Sequence, residues 1–153
     1  KVLRFSREVY RSDSVASLGI VAHEIGHALQ DHSGYAPMRV RSALVPVASV
    51  GTWLGYIFFI VGLIINYVGL VWLGVFFFGA AVLFALVTLP VEWDASNRAR
   101  HMLRSQGLVA EAEYQGASAV LSAAALTYVA ALLQAVASLL YYVLVALGMS
   151  RRD

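Results

Sequence analysis

LVPVASVGTWLGYIFFIVGLII, residues 44–65, runs for 22 residues without a charged side chain. At about 1.5 Å per residue, a helix of that length crosses the ~30 Å hydrocarbon core of a bilayer. LVWLGVFFFGAAVLFALVTL, residues 70–89, is a second charge-free run of 20. Asn66-Tyr67-Val68-Gly69 between them has the make-up of a turn, so the pair reads as a helical hairpin across a membrane. Gly51 and Gly55 give its first arm a small-residue seam for helix contact. A further apolar stretch, 126–147, is interrupted only by Thr127, Gln134 and Ser138, and ends a long helix expected over 111–148. The fold class that follows is an all-α membrane protein with three transmembrane helices.

Composition agrees. Hydrophobic residues make up 60% of the 153 and charged residues 13%, against about half and a quarter in soluble domains. There are no cysteines, which removes disulfides and thiolate metal sites and leaves histidines and carboxylates for any metal. No internal repeat is visible, and no nucleic-acid partner is expected from a net charge of only +2. The chain opens at Lys1 with neither a Met nor a signal peptide, which suggests a piece of a longer protein.

Ahead of the hairpin stands His23-Glu24-Ile25-Gly26-His27, an H-E-x-x-H pattern. On a helix, residues four apart share a face, so His23 and His27 can present two imidazoles to one Zn²⁺, with Glu24 beside them. Zinc with open positions brings the pKa of water from ~15.7 towards ~7, and an adjacent carboxylate can take the proton during attack on a carbonyl. The helix is expected over 14–30. Val15, Leu18, Ala22, Ile25 and Leu29 form its packing stripe, with the histidines opposite. Gly19 and Gly26 flank the histidine face and admit a close neighbour. The competing reading is an ordinary surface helix carrying the short motif by chance.

Residues 1–10, KVLRFSREVY, alternate apolar and polar and give a weak signal for one short N-terminal strand. Residues 31–41 read as a polar loop containing Gly34 and Pro37. His32 falls on the wrong face for an ion held by His23 and His27. Pro90 is expected to end the second span and open a separate helix over 91–106, closed by Gly107. On that helix Glu92 stands among Ala95, Ser96 and Ala99, small enough for another helix to approach, while Asp94, Arg98 and His101 share a charged side. The whole is one domain in four regions: 1–43 with the metal helix, the hairpin 44–89, the helix 90–107 and the long helix 111–148.

The hairpin would leave 1–43 and 90–116 on one side. Nine of the eleven basic residues lie there (Lys1, Arg4, Arg7, Arg11, Arg39, Arg41, Arg98, Arg100 and Arg104), and only Arg151 and Arg152 lie on the other. The positive-inside rule makes the former side cytoplasmic. The expected arrangement is multi-pass, with the metal helix facing the cytoplasm.

With HEIGHALQ at 23–30 and LPVEWDASNRA at 89–99, together with VLRFSREVY at 2–10 and AAALTYVAA at 123–131, the chain resembles the bacterial neutral zinc metallopeptidases of the YugP type. The resemblance implies an integral membrane gluzincin, distantly similar to HtpX-type proteases, with one zinc per chain. It implies His23, His27 and Glu92 as ligands and Glu24 as catalytic base. It also implies a carboxylate after the motif alanine, behind a ligand, where this chain has Ser96. An N-terminal membrane helix is implied as well, outside the present sequence. The helical wheel favours Glu92 over Asp94, which points about 200° away and reads as a solvated charge.

The expected activity is zinc-dependent cleavage of a protein or peptide substrate at the cytoplasmic surface of the bilayer. Homo-oligomers are compatible with it. Tyr35, Tyr114, Arg98 and Arg100 are candidates to stabilise the oxyanion. Two rivals stand beside this reading. One is intramembrane cleavage, although none of the long apolar runs carries Asp or Glu. The other is a scaffold or adaptor with a closed, structural zinc site.

Overall fold

The computed structural model describes residues 2–107 and 109–151. Among the described residues there are five helices: α1 (Arg7–Arg11), α2 (Val15–His32), α3 (Ala36–Ile64), α4 (Val68–Ser105) and α5 (Glu111–Ser150). The last three are each long and apolar enough to cross a membrane, so the all-α, three-span reading holds. Lys1 and Arg152, two of the basic residues counted above, lie outside the described residues.

Three expectations about element boundaries are corrected. The described part of residues 1–10 forms no strand. Instead Ser6 caps α1, its hydroxyl accepting from the Val9 amide at 3.2 Å, and Glu8 adds a favourable charge to the first turn. The alternating pattern there had no partner strand to pair with. The loop expected over 31–41 shrinks to residues 33–35, because Pro37 enters α3 in its first turn, where a missing N–H costs nothing. Pro90 neither ends a span nor starts a helix: it lies inside α4, which continues unbroken. Breaking the rod would strand several backbone groups, whereas the proline forfeits one bond, to the Leu86 carbonyl. The second span and the helix carrying Glu92 are one element.

The fold divides into two compact units. One comprises Val40–Thr88 and Ala130–Asp153. Its core gathers Phe59, Val71, Val75, Phe78 and Ala146, with the Tyr142 ring stacked on Phe78 at 4.3 Å and tilted against Phe59 at 4.7 Å. Gly51 and Gly55 face α4 across the seam, meeting Ala80 and Gly74. Asn66, at φ 53°, closes the turn between the arms, and the Tyr67 amide donates back to the Gly62 carbonyl at 2.9 Å.

The other unit comprises Lys1–Arg39 and Leu89–Val129. Its core combines three alanines with two leucines. Ala22 of α2, Ala99 and Leu103 of α4, and Ala117 and Leu121 of α5 pack together. The apolar stripe expected to anchor α2 is not its most buried face: Val15, Leu18 and Ile25 are half-buried and Leu29 is exposed. The buried residues are Ser17, Gly19, Ala22, Gly26 and Gln30. At Gly26 of α2 no side chain intervenes, and the helix meets the backbone of α4 at Ala95 directly.

Candidate metal centre

Helix α2 is fixed at both ends. The Ser14 hydroxyl accepts from the Ser17 amide at 3.1 Å, closing the N-terminus. Gly34, at φ +67°, ends the helix in the left-handed conformation, and the Tyr35 amide returns to the Gln30 carbonyl at 2.9 Å. The opposing wall is α4. Gly26 rests directly on its backbone: a Cβ there would collide with the Ala95 carbonyl oxygen, with the Ala95 Cα only 3.2 Å away. That contact sets His23 and His27, three residues before and one after Gly26, against Glu92, three before Ala95.

The Nε2 atoms of His23 and His27 lie 3.0 and 3.3 Å from the same oxygen, Glu92 Oε2. The two rings meet edge to face with centroids 4.7 Å apart. One ligand atom from each of the three residues can be chosen so that all lie within 4.8 Å of one another. Donors on a tetrahedral zinc at ~2.1 Å stand about 3.4 Å apart, so the trio fits that ion. The chemistry fits too. Glu92 is 1% exposed, and a buried carboxylate needs a positive partner. Two imidazoles and one carboxylate leave a fourth tetrahedral position to something other than these side chains. Among the described residues, no other set of three His, Asp or Glu converges in this way; His32 and His101 are both exposed.

Each imidazole is also held from behind. Ser96 Oγ is 3.2 Å from His23 Nδ1, so the serine occupying the expected carboxylate position does reach one of the two histidines. Gln30 Oε1 is 2.9 Å from His27 Nδ1, and Gln30 Nε2 donates to the Val91 carbonyl at 2.7 Å and to Asp94 Oδ2 at 2.8 Å. Asp94 in turn accepts from Arg98 Nε at 2.6 Å. The reading of Asp94 as a solvated charge is therefore corrected: it is half-buried and serves two donors. Burial works to lower the His27 pKa, but hydrogen bonds to Glu92 and Gln30 and the charges of Glu92 and Glu24 outweigh it, leaving the ring above its ordinary 6.5.

Glu24, next to His23 in sequence, is exposed. Of the oxyanion candidates, the two arginines have partners within the protein, and the two tyrosine rings each lie under an arginine. Arg98 serves Asp94 and lies over the Tyr35 ring at 5.5 Å. Arg100 bonds Asn97, Ser118 and Ser122, and Arg104 covers Tyr114 at 5.6 Å. Sequence reasoning gave Gln30 no task in the site. Its spacing of three from His27 was the available signal.

Residues 1–147 match a family described as "Putative neutral zinc metallopeptidase". The chain is 40% identical over 148 residues to the "Putative membrane protease YugP" of Bacillus subtilis (strain 168), covering 97% of this chain and 66% of that protein. It thus spans just under two thirds of that relative's length. No solved structure matches it.

Proposed function

The chain belongs to the neutral zinc metallopeptidase family, and from that premise we propose that it is a membrane endopeptidase whose zinc ligands are His23, His27 and Glu92. The observation that carries the reading is the convergence of two imidazole nitrogens on one buried carboxylate oxygen, at 3.0 and 3.3 Å. Held there, one zinc per chain would supply Lewis acidity, polarising a scissile carbonyl and acidifying a water molecule. Glu24 accepts the proton from the attacking water at its carboxylate and returns it to the leaving amine. Glu92 offsets cationic charge from a site with little solvent, and Ser96 and Gln30 hold the imidazoles in place. The bias of basic residues supports a cytoplasmic active site in the bacterial cell membrane. Protein or peptide substrates then reach the site from that side.

The test is Glu24→Gln, with zinc content and peptidase rate measured on one preparation. Zinc should stay and hydrolysis should fall by about 10²–10⁴-fold, the usual contribution of a general base. Unchanged hydrolysis at full zinc occupancy would remove Glu24 from the mechanism. Full occupancy with no hydrolysis in the parent protein would favour a structural zinc in a scaffold.

A further inference from the structure

Gln30 is fully buried, and its amide has only one orientation compatible with its neighbours. Both groups facing Nε2 are acceptors: the Val91 carbonyl, and an Asp94 carboxylate oxygen that already accepts from Arg98. Flipping the amide would turn its oxygen onto those two oxygens and lose both bonds. Oε1 is therefore the atom that faces His27, and an oxygen there can only accept. His27 Nδ1 must carry the hydrogen, which leaves the Nε2 lone pair on the side of Glu92 in the neutral ring. His23 has no such determinant, because the Ser96 hydroxyl at its Nδ1 can either donate or accept.

We propose that Gln30 is a positioning residue that fixes His27 as the Nδ1–H tautomer with Nε2 free for metal, and that Asp94, anchored by Arg98, keeps Gln30 in that orientation. The inference rests on the ligand set proposed above and adds a directional chain from Arg98 through Asp94 and Gln30 to one imidazole. It gives Asp94 and Arg98 a task in the metal site without contact with the metal. Partners that orient ligating histidines typically account for 10–100-fold in metal affinity, and this chain should act as one unit.

The experiment uses the full chain in detergent micelles, with zinc affinity read by competition against a chromophoric chelator. Gln30→Leu keeps the size of the side chain and removes all three bonds. It should bind zinc about 10–100-fold more weakly. In the zinc-loaded parent, ¹⁵N-histidine NMR should show a His27 Nδ1–H signal protected from exchange with water, and that protection should disappear in Gln30→Leu. Asp94→Ala leaves Gln30 in place and should weaken zinc binding in the same direction but less. Adding it to Gln30→Leu should cost little more, since residues in one chain of bonds are not additive. If Gln30→Leu does not fold, the Asp94→Ala affinity decides alone. Parent-like affinity and a protected Nδ1–H signal in the folded variants would overturn Gln30's role while leaving the ligand set intact. Zinc absent from the parent, or retained by Glu92→Ala, would bring down the ligand set and this inference with it.

Discussion

Replacing Gly26 by alanine tests the packing on which the metal site depends. The added methyl would collide with the Ala95 carbonyl oxygen and lie 3.0 Å from its carbon and 3.2 Å from its Cα. These are backbone atoms of a long helix, so relief must come from α2 and α4 moving apart by roughly 1 Å, an overpacking that typically costs about 1–3 kcal/mol. The same movement acts on the ligands, because the histidines are on one helix and Glu92 on the other. Opening the 3.3 Å separation of His27 Nε2 and Glu92 Oε2 by that amount takes it past the ~3.4 Å suited to donors on one tetrahedral zinc. Gly26→Ala should therefore lower both the midpoint of thermal unfolding in detergent and the zinc affinity measured by chelator competition. Gly79→Ala is the control: a Cβ there meets nothing within 4 Å. It should be neutral, or more stable by up to ~1 kcal/mol through helix propensity. A Gly26→Ala protein with parent-like stability and zinc affinity would refute the close approach of the two helices as the device that assembles the site.

Further outcomes are expected. Glu92→Ala should purify with little zinc and no peptidase activity by metal analysis and assay, since one of three ligands and the buried counter-charge both go. Chelation of the metal should lower the unfolding midpoint by the linkage stabilisation, ~4 kcal/mol at a thousandfold excess of zinc over Kd, and re-addition of zinc should restore it. The stabilisation by zinc should shrink as pH falls. His27 is raised above 6.5 in the metal-free fold, so its contribution to that fold is complete below 6.5 and is lost as pH rises through the higher folded value. Protons then compete with zinc and steady the metal-free state together, and midpoints measured with and without zinc should converge towards acid; a gap that widens there would contradict the assignment. For orientation, Ser33→Cys and Ser105→Cys should resist an impermeant thiol reagent in intact cells while Ser150→Cys reacts; the reverse labelling would invert the proposed topology.

How far the sequence carried the account depends on how local each signal is. The charge-free runs at 44–65 and 70–89 needed no knowledge of neighbours, because crossing a bilayer is decided by length and hydropathy alone. The shared face of His23 and His27 was legible from helical phase, whereas Glu92 as their partner came from the family resemblance, with the small residues around it in support. Pro90 misled because its local cost is real, about 3 kcal/mol in a helix interior, yet smaller than that of breaking a helix leaving the membrane. The pattern at 1–10 misled because alternation has meaning only where a partner strand exists. The tie from Gln30 to Asp94 and Arg98 was not legible at all. A polar side chain's partner across 64 positions of sequence is a property of the packing, and periodicity carries no record of it. The buried face of α2 shows the same limit: large apolar residues drew attention to one side, while Gly19, Gly26 and Gln30 on the histidine side are buried.

The most direct test of the central claim is zinc K-edge X-ray absorption on the purified, zinc-loaded chain, beside metal analysis. The account predicts one zinc per chain, with two imidazole nitrogens at about 2.0–2.1 Å and oxygens at about 2.0–2.2 Å, from a carboxylate and from the remaining open position. The two-imidazole signature should be absent from Glu92→Ala, which should hold almost no zinc. A spectrum fitted by a closed set of protein ligands, or a Glu92→Ala protein with parent-like zinc and an unchanged spectrum, would contradict it.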